Sequence, residues 1–157
     1  MMKKLRDFLQ ECLTHVQEIF PWDLLKRLEA NPDLILLDVR EPHEFEAMHI
    51  AGSLHVPRGV LETACDWDYE ETVPELAAGR DREIIIICRS GNRSVLAADT
   101  MQAMGFKNVV SLRTGIRGWN DFEQPLVDKA GNVVTIDDAD EYLAPRVSAS
   151  QRGPALR

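Results

Sequence analysis

Apolar positions along the chain change period several times, and each change marks an element. Near the N-terminus Leu5, Phe8, Leu9, Cys12, Leu13 and Val16 fall on one face of a helix. In "PWDLLKRLEAN", Pro21 stands where a first helical turn accepts proline, and Leu24, Leu25 and Leu28 share a face. The period then breaks. "DLILLDVR" is a continuous apolar run closed by Asp38 and Arg40, the pattern of a buried parallel strand with polar residues at its C-terminal end. "EPHEFEAMHI" predicts a short helix with Pro42 near its start, and "AGSLHVPRG" a short strand closed by Pro57 and Gly59. Residues 61–83 are acidic and irregular, with a helix expected only around Val73–Ala78.

"EIIIIC" gives the strongest strand signal, a β-branched run too short to be a helix. "SVLAADTMQAMGF" spaces Val95, Leu96, Met101 and Met104 helically and ends at Gly105, a natural C-terminal cap. "NVVSL" reads as a further strand, "IRGWNDF" as a short helix, and "PLVDKAGNVVTI" as a small hairpin around "KAGN". The final stretch, "APRVSASQRGPALR", lacks a core-forming pattern and is expected to be a mobile tail.

Strands alternating with helices imply an α/β domain on a mainly parallel central sheet flanked by helices. The expected organisation is an N-terminal amphipathic helix in 1–17, a main domain over 18–124, a C-terminal extension over 125–143 and the tail over 144–157. In such sheets ligands sit beyond the C-terminal ends of the strands. Asp38, Arg40 and Cys88 all stand at such ends.

Charge narrows the partners. The formal net charge is −8, which argues against nucleic acid or an anionic membrane surface, since both reward clustered Lys and Arg. The first 20 residues have no unbroken apolar core, so a secretory signal is not expected, and no run approaches a membrane-spanning helix. Cys12, Cys65 and Cys88 show no CxxC spacing. Such usage fits a reducing cytoplasm and offers no zinc site. Cys12 lies on an apolar stripe and reads as a small core residue.

Cys88 is different. It ends an isoleucine run and opens the loop "CRSGNRS" just before a helix. A strand–loop–helix order lets backbone N–H groups turn inward, with a helix N-terminus behind them, and such a concavity binds anions and stabilises a thiolate. Gly91 permits the tight turn, and Arg89 and Arg93 offer planar donor forks for an oxyanion. A core cysteine gains nothing from such neighbours.

The succession "LLDVREPHEF", "HIAGSLHVP", "IIIICRSGNRS" and "LRTGIRGW" is similar to the rhodanese-like sulfurtransferase family over roughly residues 18–123. The resemblance implies a compact α/β domain, helices on both faces of its sheet, whose cysteine takes a sulfane sulfur from a donor such as thiosulfate and hands it to cyanide or a thiol. Cys88 then matches the persulfide-forming nucleophile. Arg89, Ser90, Gly91, Asn92 and Arg93 match the loop that cradles the sulfur, and Ser94 opens the following helix. Asp38 and Arg40 match a motif that braces the loop, while His49, Gly52 and Ser53 match an architectural turn. One departure is Thr114, where the family often has the first of two glycines. No metal or organic cofactor is implied. The expected partners are a small anionic sulfur donor and a thiol or cyanide acceptor, thioredoxin or another protein acceptor among them.

Three other functions would use a loop cysteine. A cysteine phosphatase needs five residues between Cys and Arg to surround a phosphate, and here only four separate Cys88 from Arg93. A cysteine protease needs an activating histidine, and His15, His43, His49 and His55 lie in no protease signature. A non-catalytic persulfide carrier or interaction module is the rival from another class; the intact Cys88 loop favours chemistry, although a carrier keeps it too. Trp67 and Tyr69 in the acidic stretch are expected to pin a solvated loop, and nothing in the spacing brings Cys65 to Cys88 as a resolving thiol.

Overall fold

The computed structural model describes residues 1–154, so the last three residues of the expected tail lie outside the described residues. Five short strands form one parallel sheet: β1 (Glu18–Ile19), β2 (Ile35–Asp38), β3 (Leu54–His55), β4 (Glu83–Ile87) and β5 (Asn108–Leu112), in the order β1-β5-β4-β2-β3. The register pairs Ile84–Ile87 of β4 with Ile35–Asp38 of β2, and Ile84–Ile86 with Val109–Ser111 of β5. The isoleucine run is therefore the central strand, which explains its lack of polar alternation: both faces are covered.

The two faces divide the core. Ile84 and Ile86 pack with α1 (Leu5–Leu13), α4 (Leu61–Ala64), α5 (Pro74–Ala77) and α6 (Asn92–Ala103), through Cys12, Leu61, Leu76, Val95, Ala98 and Met101. Ile85 and Ile87 pack on the other face with α2 (Pro21–Ala30), α7 (Gly115–Asp121) and α8 (Ile136–Leu143), through Leu24, Ile116, Trp119, Ala139 and Leu143. A shorter helix, α3 (Pro42–Ala47), links β2 to β3. The expected α/β sheet with helices on both faces is what forms. An antiparallel hairpin, β6 (Leu126–Val127) with β7 (Val133–Val134), precedes α8. Its His49–Val127 bridge ties it back to the "HI" turn.

Several details differ from the expectations. β1 went unread because two residues carry no periodicity, and α8 because its apolar positions are sparse among five acidic or polar residues in "IDDADEYL". α4 lies inside the stretch read as irregular. On α1 only Cys12 is buried, while Leu5, Phe8 and Leu13 remain exposed, so half of the apolar stripe, Leu9, Cys12 and Val16, meets the domain. Trp67 and Tyr69 are each about half exposed. Thr72 ties the same loop, its hydroxyl donating to the Asp66 carbonyl at 2.6 Å and accepting from the Tyr69 N–H at 3.0 Å. Among the described residues no helix is long and apolar enough to cross a membrane.

Candidate active site

Cys88 follows directly on β4, and the three residues after it turn the chain into α6. Gly91 makes that turn possible with φ at +106°. A side chain there would also crowd the backbone N of Thr114 at 3.3 Å. The turn directs two backbone donors at the sulfur: the N–H of Gly91 at 3.1 Å and that of Ser94 at 3.3 Å from Cys88 Sγ. Both belong to the N-terminal end of a 12-residue helix, whose dipole adds to the same effect. Negative charge on this sulfur is thus met by fixed donors.

The thiol also reaches the Ser94 hydroxyl at 3.3 Å, and Ser94 Oγ lies 2.7 Å from Ser111 Oγ on β5. Either hydroxyl can donate to the other, so Ser94 can accept from a thiol or donate to a thiolate. Ser111 was not read as a site residue. The available signal was a lone hydroxyl in the apolar run "NVVSL", fully buried in the structure and in need of a partner.

The loop is gripped from below by α7. The N–H of Ile116 donates to the Cys88 carbonyl at 2.9 Å and that of Arg117 to the Arg89 carbonyl at 3.1 Å. Gly115 permits this approach, because a Cβ there would sit 2.5 Å from the Cys88 carbonyl oxygen and 2.6 Å from that of Arg89. Thr114, the departure from the double glycine, adopts φ +70° nonetheless.

The two guanidinium groups are placed differently from the expected pair of forks facing an oxyanion. Arg89 turns to α8, donating from Nη2 to the carbonyls of Leu143 at 2.6 Å and Ala144 at 3.0 Å. Unpaired carbonyls at a helix C-terminus attract a cation, which is the physical reason for the capture. Arg93 makes a bidentate pair with Glu44 of α3, at 2.8 and 2.9 Å. Glu44 also accepts the Glu41 N–H at 2.9 Å. Burial opposes charge on this carboxyl, but the Arg93 fork, the Glu41 N–H and the nearby Arg40 charge outweigh it and hold the group at about 2. The same pairing raises Arg93 above the usual guanidinium value, against the cost of its burial. Glu44 was missed by sequence reasoning although it stands in "EPHEF"; an acid one helical turn inside a motif gives no hint of a partner 49 residues away.

Asp38 and Arg40 are fully buried and joined side-on, with Arg40 Nε at 3.0 Å from Oδ1 and Nη2 at 2.8 Å from Oδ2. Arg40 Nη2 also donates to the Met48 carbonyl at 2.7 Å, and the Arg40 carbonyl lies 2.8 Å from His55 Nε2. The pair therefore braces the end of α3 and the end of β3, Asp38 stands in register with Ile87 just before the cysteine loop, and the Arg40 charge acts on Glu44, the partner of Arg93. Arg40 Nη1 is buried without a hydrogen-bond partner among the described residues. Ser90 and Asn92 are exposed, whereas Cys88 itself is only 1% exposed. Ser53 donates to the Ile50 carbonyl at 2.6 Å, and Gly52 has φ +85°, consistent with a turn.

The other thiols stand apart from this chemistry. All three cysteines are free and buried. Burial pushes Cys65 up to about 11 despite the pull of Arg80 and Arg58, and burial together with Asp99 raises Cys12. No group of three or more metal-ligating side chains occurs among the described residues.

A family model described as Rhodanese-like domain matches residues 21–122. YrkF of Bacillus subtilis, whose name describes a sulfur carrier, is 35% identical over 118 residues; the match covers 75% of this chain but 58% of YrkF, so the chain spans under two-thirds of that relative. A sulfurtransferase of Allochromatium vinosum is 31% identical over 116 residues, covering 74% of this chain and 99% of the relative. Among solved structures, the Rhodopseudomonas palustris protein RPA3614, whose description names a tyrosine phosphatase as a candidate activity, superimposes with a TM-score of 0.73 at 28% identity, covering 80% of this chain and 95% of the other.

Proposed function

The chain belongs to the rhodanese-like domain family, and from that premise we propose that it is a sulfurtransferase working through a persulfide on Cys88. The observation that carries this reading is the convergence of the Gly91 and Ser94 N–H groups on Sγ. Relatives named as sulfurtransferase and sulfur carrier support the general chemistry.

The transfer is a double displacement. With thiosulfate, the Cys88 thiolate attacks the outer sulfur; a Cys S–S bond forms, the S–S bond of thiosulfate breaks, and sulfite leaves with the electron pair. With an organic persulfide the leaving group is a thiolate, which takes up a proton. The terminal sulfur on Cys88 then accepts a nucleophile: with cyanide, thiocyanate forms and the cysteine returns as a thiolate. Charge and sulfur oxidation state balance at each step, and no cofactor is called for. The N–H groups of the loop stabilise charge on sulfur before and after transfer, because their positions are fixed by Gly91 and by the grip of α7.

A phosphatase reading is disfavoured by loop length and by the Glu44 carboxylate on Arg93, which occupies the fork a phosphoryl group would need. Thiocyanate formation from thiosulfate or glutathione persulfide with cyanide tests the proposal, with an aryl phosphate assayed beside them. Turnover of a sulfur donor that vanishes in Cys88→Ser is the expected result. Sulfur transfer surviving that substitution, or aryl phosphate hydrolysis alone, would exclude it. A protein that loads sulfur without turning over on small acceptors would be a carrier.

A further inference from the structure

Neither arginine of the cysteine loop presents a free fork. Arg89 donates from Nη2 to the C-terminal carbonyls of α8, and Arg93 is held at both Nη atoms by Glu44. The Glu44 side chain is only 14% exposed and is itself fixed by the Glu41 N–H, so the clamp is not a solvated surface pair that opens freely. At the sulfur itself the fixed donors are the two backbone N–H groups, and the Nη fork of Arg93 is already neutralised by a carboxylate.

Donors differ in what they ask of such a site. Thiosulfate carries two charges and three sulfonate oxygens, and sulfite departs with that charge, so its binding and its leaving both reward a free guanidinium. An organic persulfide brings no sulfonate to be paired, and its reacting sulfur needs only the backbone donors.

We propose that Glu44 is the residue that sets donor preference: by occupying Arg93 it directs the site to organic persulfides and away from oxyanion donors such as thiosulfate. This rests on the sulfur-transfer reading above. Glu44 touches no reacting atom; it is a positioning residue that acts through Arg93.

The test compares kcat/KM for glutathione persulfide and for thiosulfate, cyanide being the acceptor, in the wild-type chain and in Glu44→Gln, with thermal unfolding as a control of the fold. The wild-type ratio should favour the persulfide by about tenfold or more, the scale of a charge-assisted hydrogen-bond pair. In Glu44→Gln the ratio should fall about tenfold towards thiosulfate. Sulfate ion, an unreactive mimic of the sulfonate, should protect Cys88 from alkylation in Glu44→Gln more strongly than in the wild type. A purely structural role for Glu44 would lower both rates together and leave the ratio unmoved, and that result overturns the proposal. So does a wild-type chain that uses thiosulfate as well as the persulfide. If neither donor adds a sulfur atom to Cys88 in either protein, the sulfur-transfer reading fails and takes this proposal with it.

Discussion

Asp38 and Arg40 sit side by side with no exposure to solvent, and breaking such a pair strands a charge in the interior. Asp38→Ala should therefore destabilise the domain by about 3–5 kcal/mol, read as a lower urea midpoint with an unchanged slope. A cost under about 1 kcal/mol would mean that Arg40 finds another partner or reaches water. Glu44 makes a pH-dependent contribution of defined sign. Its folded value of about 2 lies below the ordinary 4.5, so its stabilisation is fully present above about pH 5 and is lost as pH falls towards 2. Glu44→Gln should flatten the stability curve across that window while leaving its shape above pH 6 alone; unfolding titrations from pH 7 to pH 3 check this. The sequence named Asp38 and Arg40 because a charged motif at a strand end is conspicuous. It did not reveal Glu44 or Ser111, whose roles depend on which helix and strand lie beside the loop in space.

At the level of elements, the cysteine loop is positioned by two helices that follow it in the chain. α7 presents its first N–H groups to the loop carbonyls, and α8 receives Arg89 at its C-terminal end. Arg89→Met keeps the stem but removes those donors, and a loss of about 1–2 kcal/mol is expected. Hydrogen exchange should quicken in 136–144 while β4 stays protected; uniform acceleration would place Arg89 elsewhere in the energetics. Within α7, a Cβ on Gly118 would fall 1.7 Å from Thr114 Oγ1, so Gly118→Ala should cost stability despite the better helix propensity of alanine. In a Thr114→Gly background the clash is gone, and the same substitution should become close to neutral. Additive costs in that double-mutant cycle would contradict the steric account. The strand–helix alternation and the central isoleucine strand were readable because apolar period and length agree for β2, β4, α2 and α6. α8 was not, since its buried positions, Ala139 and Leu143, are too few to set a period. Its place is decided by tertiary partners such as Asn120, whose Nδ2 donates to Asp140 Oδ1 at 2.7 Å.

For the whole molecule, one parallel sheet brings the ends of β2 and β4 together, and this places Asp38, Arg40 and Cys88 on one edge. That convergence was legible from the order of the elements, as was the inward turn of the loop at Gly91. The direction of the arginines was not, because a guanidinium goes to the strongest acceptor within reach and a linear sequence does not say which acceptor that is. The surroundings of the three thiols also differ at this scale: Cys12 and Cys65 are buried among core side chains with their thiols held protonated, while Cys88 alone faces backbone donors. Sulfur loading should discriminate among them. Intact-protein and peptide mass spectrometry after incubation with glutathione persulfide or thiosulfate reads this directly. A gain of a single sulfur atom confined to the Cys88 peptide, absent in Cys88→Ser and removed by cyanide, is the expected result; an unmodified Cys88, or sulfur added equally to Cys12 and Cys65, would contradict it.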